Sequence, residues 1–255
     1  HTELQFAVQF HIVFSFGGNE YFFRFLKCAS RREECRYGTS LTFTPVEGAL
    51  PEYEPGQYVL IKTGAGEPFR PYVISQGPGE AFLRVTVVPS AEGKLPKLAS
   101  LRVGEEVEMT GPEGDFTPDI QAEHPLVLLG GLAGIAPIVA ILETLAVENP
   151  LRKTHVLYET ASSETFALRS AMELALKGMP NAAGAVFFTA PLGTDRQGEA
   201  FDAEGEIEPD RLRFFCQDPD ADFYIAGPEG LIARLRSALL SLGVIAARIH
   251  VLPLG

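Results

Sequence analysis

Residues 126–142 read Leu-Val-Leu-Leu-Gly-Gly-Leu-Ala-Gly-Ile-Ala-Pro-Ile-Val-Ala-Ile-Leu. The run opens with four bare apolar residues, which suit a strand buried on both faces. Gly130, Gly131 and Gly134 follow as a turn, and over 138–147 the apolar residues recur at helical spacing. At 17 residues, interrupted by glycines and Pro137 and flanked by His124 and Glu143, the run is too short and broken to span a membrane. A buried strand that passes through glycines into a helix is the opening of an α/β unit. Such glycines either let backbone N–H groups approach a diphosphate at the positive end of the helix or serve packing alone. Spacing does not choose between the two, because the loop is neither a Walker sequence nor a clean GxGxxG.

On the C-terminal side the alternation repeats. Strand-like runs at 155–158, 185–189 and 223–225 are interleaved with helical spacing at 165–176 and 231–242, which predicts a parallel sheet covered by helices. On the N-terminal side, short β-type runs at 40–43, 57–62, 71–75, 82–88 and 106–110 alternate with Gly and Pro, the pattern of a small antiparallel barrel. The boundary between the two textures falls near 119–124. Ahead of the barrel, Phe6, Val8, Phe10, Ile12, Phe14 and Phe16 recur at every second position, the period of a half-buried strand. Gly17-Gly18-Asn19 then turns the chain into a second aromatic strand over 21–26. We expect an extra hairpin here, with a docking surface for a partner as the alternative. The resulting division is a hairpin extension at 1–24, a barrel at 25–119 and an α/β domain at 120–255.

Composition narrows the function. At 255 residues with 46% hydrophobic and 21% charged residues, the chain has room for two packed domains. A formal net charge of −12 excludes the basic footprint of a nucleic-acid binder and disfavours a strongly acidic partner. Cys28, Cys35 and Cys216 make neither a disulfide framework nor an iron-sulfur set, which points to a reducing compartment, the cytoplasm or the interior of a reducing organelle. No basic stretch precedes the apolar N-terminus, so no signal peptide is expected, and because the sequence begins at His1 rather than Met, an earlier targeting segment would not be visible in it. His11, His124, His155 and His250 lack metal-ligand spacing, the acidic run at 199–210 reads as a solvated loop, and no nucleophile elbow is present.

The segment Arg70-Pro71-Tyr72-Val73-Ile74-Ser75 has a different character. Arg70 and Tyr72, two apart on a strand, project to one face. There a guanidinium can pair with a phosphate while a phenol ring lies against a flat, electron-accepting ring. By itself such a segment is more often an ordinary strand.

Its neighbours change that reading. Tyr53-Glu54-Pro55-Gly56-Gln57-Tyr58, Arg70-Pro71-Tyr72, Gly104 with Gly111-Pro112-Glu113-Gly114-Asp115-Phe116, Gly134-Ile135-Ala136-Pro137, Ala226-Gly227-Pro228, and Gly243-Val244 with Arg248-Ile249-His250 occur in that order. Together they resemble the ferredoxin-NADP reductase superfamily, and most closely the reductase domains of flavohaemoglobins. The resemblance runs from about residue 25 to the C-terminus. It implies an FAD-binding barrel followed by a nicotinamide-binding α/β domain. FAD would be held by Arg70, Tyr72, Ser75 and the Gly93, Lys94 and Leu95 segment. The nucleotide would meet Gly130, Gly131, Gly134, Ile135 and Pro137, with Gly227 and Pro228 where nicotinamide approaches flavin. Tyr72, Val73 and Ala226 fall on the reacting edge.

Five positions depart from the family pattern. Val73 stands where a hydroxyl residue is usual, Pro96 replaces the serine that opens the pyrophosphate helix, and Leu132 replaces a loop glycine. Ala226 replaces a cysteine, and Val251-Leu252-Pro253-Leu254-Gly255 ends the chain without an aromatic. The resemblance therefore implies an FAD-dependent oxidoreductase taking electrons from NADH or NADPH to a separate acceptor protein, another domain or a small molecule. The departures support an alternative, a catalytically weakened subunit with a structural or regulatory place in a larger assembly. Ser162, Ser163, Arg169 and Arg196 offer groups for a 2′-phosphate but suit a surface helix equally, which leaves the nicotinamide open.

Overall fold

The computed structural model describes residues 13–16, 19–90 and 93–254. β1 (Val13–Phe16) and β2 (Asn19–Phe22) pair as an antiparallel hairpin with Phe16 opposite Asn19. Phe6, Val8, Phe10 and Ile12 of the aromatic stripe lie outside the described residues. The strand expected over 21–26 is divided, because β2 stops at Phe22 and a long β3 (Arg24–Cys35) begins at Arg24. Most of β3 beyond Cys28 is exposed, so it has no alternating pattern to read. Its register comes from pairing with β4 (Gly38–Pro45), with bulges near Cys28 and Cys35.

β5 (Tyr58–Lys62), β6 (Arg70–Val73), β7 (Leu83–Val87) and β8 (Glu106–Glu113) complete an antiparallel sheet in the order β6-β5-β8-β3-β4-β7. An antiparallel bridge from Ile74 to Val85 joins the two edges into a barrel. Leu26, Leu41, Phe43, Ile61, Leu83 and Met109 fill it, none more than 1% exposed. At about 1.5–3 kcal/mol for each fully buried apolar side chain, this core is a principal source of the barrel's stability.

The second half is a six-stranded parallel sheet built from β9 (Leu126–Gly131), α1 (Ile135–Glu148), β10 (Thr154–Thr160), α2 (Arg169–Lys177), β11 (Ala182–Phe188), β12 (Ala203–Glu204), α3 (Pro209–Leu212), β13 (Asp222–Gly227), α4 (Glu229–Ser241) and β14 (Ile249–Pro253). The strand order is β12-β11-β10-β9-β13-β14, so the winding reverses between β9 and β13. Ligands of open α/β sheets bind at the carboxyl ends of the strands beside such a reversal. The acidic run at 199–210 is more than a loop, since it contributes β12 and the start of α3. β12 holds its place at the sheet edge through two residues paired with Phe187 and Phe188.

Helix α1 is buried on nearly every side, because the sheet lies below it and the barrel beside it. Among the described residues its one charged contact toward the barrel is Glu143, which accepts from Arg84 at 2.9 Å and from the Gly77 amide at 3.0 Å. Phe116 meets Tyr224 edge-on at 5.1 Å, and the Tyr37 amide donates to the Glu164 carbonyl at 3.2 Å. These contacts fix the barrel against α1 and the parallel sheet.

Candidate functional site

The strand-to-helix junction quoted first is the floor of the site. β9 ends at Gly131, a single 3₁₀ turn covers Leu132–Gly134, and α1 starts with no side chain capping it. Close packing fixes this path. A Cβ on Gly134 would sit 2.0 Å from the Ala226 carbonyl oxygen, and one on Gly130 would sit 2.4 Å from Ile138 Cδ1. Gly227, with φ of 147°, brings β13 within 2.8 Å of the Gly131 oxygen at the position a Cβ would take. Pro137 falls in the first turn of α1, where a missing N–H leaves no bond unmade. Leu132 carries φ of 48°, a left-handed conformation that glycine adopts without strain. Its carbonyl accepts from the Tyr158 hydroxyl at 3.0 Å, and complete burial pushes that phenol well above its ordinary range.

On the barrel side, Arg70 opens β6 and is exposed. Among the described residues no hydrogen bond or ion pair engages its guanidinium. Tyr72 is only 8% exposed and packs into the barrel core. Burial raises its phenol above the usual range, against the opposing influence of Arg70 and the Leu98 backbone. Val73 is also buried. Ser75 is fully buried, and its hydroxyl bonds to the Arg84 carbonyl and to Thr86 Oγ1 at 2.8 Å, so that side chain is spent inside the barrel. The segment from Ser90 folds back on itself, with the Gly93 amide on the Ser90 carbonyl at 2.8 Å and the Ser90 amide on the Lys94 carbonyl at 2.9 Å. Leu95 is exposed, and Pro96 precedes a short 3₁₀ turn, Lys97–Ser100, that has no side-chain cap.

A cavity of about 830 Å³ lies between these two sets. Of the residues singled out from sequence, Gly93, Gly131 and Pro228 are on its wall, joined by Leu132. Arg70, Tyr72, Val73, Ser75, Lys94, Leu95, Gly130, Gly134, Ile135, Pro137, Ala226 and Gly227 are not on that wall. Ala226 is fully buried beneath α1.

The wall also carries a charged cluster that sequence reasoning missed. Arg234 Nη2 donates to both oxygens of Glu159 at 2.7 and 2.9 Å, Nη1 donates to the Ile207 carbonyl at 2.6 Å, and Nε lies 3.3 Å from Glu206. The Ile207 amide closes the ring onto Glu159 at 2.8 Å. A glutamate near the carboxyl end of β10 was the one legible sign; its partner stands 75 positions away.

The oxidoreductase NAD-binding domain family matches residues 128–237. The flavohemoprotein of Bordetella pertussis is 30% identical over 239 residues, covering 89% of this chain and 59% of that protein. The flavohem-like FAD/NAD binding domain of nitric oxide dioxygenase from Vibrio cholerae superposes with a TM-score of 0.79 at 27% identity, covering 91% of this chain and 98% of that one. Over 128–237 the chain is an oxidoreductase NAD-binding domain, and as a whole it is similar to the FAD/NAD-binding reductase part of flavohemoproteins. Another structure with this fold is that of the CS-b5R domains of human Ncb5or in its NAD+ form, with a TM-score of 0.76, 20% identity, and coverage of 91% of this chain and 69% of that one. The chain spans 59% of the flavohemoprotein's length.

Proposed function

We propose that this chain is a flavin-dependent reductase module that binds FAD on its barrel and NADH or NADPH in the cavity, and passes electrons from the nicotinamide to an acceptor. One observation carries the reading: the cavity wall joins Gly93 of the barrel to Gly131, Leu132 and Pro228 at the carboxyl ends of the parallel strands. A flavin held on one side and a nicotinamide on the other would meet there. FAD, when bound, supplies the ability to take a hydride and release electrons.

The donor groups suit two diphosphates. Arg70 offers an uncommitted guanidinium for a charge-assisted contact, and Gly93 has open space around it where a phosphate could approach. Helix α4, 13 residues long with Pro228 at its cap, presents unbonded N–H groups beside Gly230, which also has open space around it. Tyr72 and Val73 would support the flavin from within the barrel, and Ala226 with Gly227 would set the depth of the nicotinamide. The Ser75 hydroxyl takes no part in this assignment. The described residues contain no helix long and apolar enough to cross a membrane, and the three cysteines are free thiols, which favours a reducing compartment. We assign 1–24 to an N-terminal extension, 25–119 to the flavin domain and 120–255 to the nucleotide domain. A haem-bearing acceptor is the partner that the flavohemoprotein likeness favours.

Arg70→Ala tests the flavin assignment. Loss of one charge-assisted contact, about 1.5–3 kcal/mol, should weaken FAD retention by roughly tenfold or more. Unchanged retention would remove Arg70 from the site. A second reading, a reductase-like subunit with little turnover, is favoured by the strained Leu132 and by the chain end, where Leu254, which follows β14 and is held by its amide on the Gly227 carbonyl at 2.8 Å, offers no aromatic ring. It predicts flavin uptake without prompt reduction by a nicotinamide.

A further inference from the structure

The cavity runs across the sheet, from Pro228 after β13, past Gly131 and Leu132 after β9, to Glu159 at the end of β10, Thr189 after β11 and Glu206 after β12. If the nicotinamide lies at Pro228 and the diphosphate beside it at the start of α4, as the proposed function requires, the adenosine half extends past the β9 loop over β10, β11 and β12. The charged groups at that end are Glu159, Glu206 and Arg234. Arg234 is the sole cation among the described residues on the wall, and Glu159, the Ile207 carbonyl and Glu206 already engage its nitrogens. Glu159 is in turn enclosed by Arg234 and the Ile207 amide, with 11% of its side chain exposed. Glu206 is different, with 57% exposed and a single long contact to Arg234, so its carboxylate has acceptor capacity to spare.

A carboxylate facing the adenosine ribose accepts a hydrogen bond from a 2′-hydroxyl and repels a 2′-phosphate, whereas a 2′-phosphate needs an uncommitted cation. The groups that sequence offered for such a phosphate do not supply one. Ser163 Oγ donates to Asp195 at 2.5 Å, Ser162 caps its own turn, and Arg169 is bound to Glu173 and the Glu199 carbonyl. Arg196 is exposed and lies off the cavity wall.

We propose that Glu206, backed by the Glu159–Arg234 pair, makes this cavity select the unphosphorylated dinucleotide, NADH, over NADPH. This rests on the nucleotide reading of the cavity. The test is calorimetric titration of the flavin-loaded full chain with two redox-inactive probes, ADP-ribose and 2′-phospho-ADP-ribose. The native protein should bind ADP-ribose about tenfold more tightly or better, and the ratio should shrink as salt screens the repulsion. Glu206→Lys, at an exposed position, should bring the two affinities within roughly threefold or reverse them, with Glu206→Gln between. Equal or tighter binding of the phosphorylated probe by the native protein would overturn the proposal, as would a ratio that Glu206→Lys leaves intact. Absence of heat with both probes would overturn the nucleotide reading and this inference with it, an outcome distinct from the loss of selectivity alone.

Discussion

Gly134→Ala places a single methyl group where the structure has no room. Its Cβ would lie 2.0 Å from the Ala226 carbonyl oxygen and 2.6 Å from the carbonyl carbon, both backbone atoms that no rotamer change can move. Relief to ordinary contact requires the α1 start and β13 to separate by about 1.5 Å. Gly134 has φ of −62°, so the effect is purely steric. Overpacking of this kind costs about 3 kcal/mol at the upper end of its usual range, which for a chain of this size corresponds to a fall in Tm of roughly 6–12 °C. Because the same separation displaces the Gly131–Leu132 wall, nucleotide affinity should drop by about tenfold as well. Gly230→Ala is the control for stability alone, since its Cβ meets nothing within 4 Å and alanine favours a helix by roughly 0.5–1 kcal/mol. Differential scanning calorimetry and nucleotide titration read both variants. A Gly134→Ala protein that melts within about 2 °C of native and binds nucleotide normally would refute the packing argument.

Leu132→Gly removes a side chain from a left-handed position, so the strain relieved, about 1–2 kcal/mol, should offset the usual glycine penalty and leave stability within about 1 kcal/mol of native; a larger loss by denaturant titration would show that Leu132 is unstrained. Asp222 is partly buried, which opposes its ionisation, but hydrogen bonds from Arg248 at 3.0 Å and His124 at 2.6 Å outweigh that and hold its carboxyl below the usual range. A depressed folded-state value stabilises above the unfolded carboxylate range and is lost as pH falls through it. Asp222→Asn should therefore flatten the acid limb of the stability profile below about pH 4, and an unaltered limb would contradict this. Arg84→Ala, which leaves Glu143 only the Gly77 amide, should loosen the barrel from α1 by about 1 kcal/mol, seen as faster proteolysis between the two halves.

The fold was legible where one physical pressure dominates. The 126–142 run signals burial on both faces, glycine and helix in immediate succession, and the structure places β9, the turn and α1 along it. The length of β3 beyond residue 26 was missed because residues 29–33 are exposed and three of them charged, so its extended form follows from the β4 ladder, a long-range pairing that composition does not announce. β12 was missed because two residues are too few to carry a period. At the site, Arg70 and the glycine loop stood out by residue type. The commitment of Ser75 to Thr86 and the Glu159–Arg234–Glu206 cluster did not, since each depends on which groups the completed sheet brings opposite one another.

The central claim is that flavin and nicotinamide meet across one cavity, and anaerobic titration of the FAD-equilibrated full chain with NADH tests it most directly. FAD should remain with the protein through gel filtration, showing the visible flavin band, and NADH should bleach that band. A protein that emerges free of flavin, or whose bound flavin stays oxidised with excess NADH and excess NADPH alike, would contradict the account.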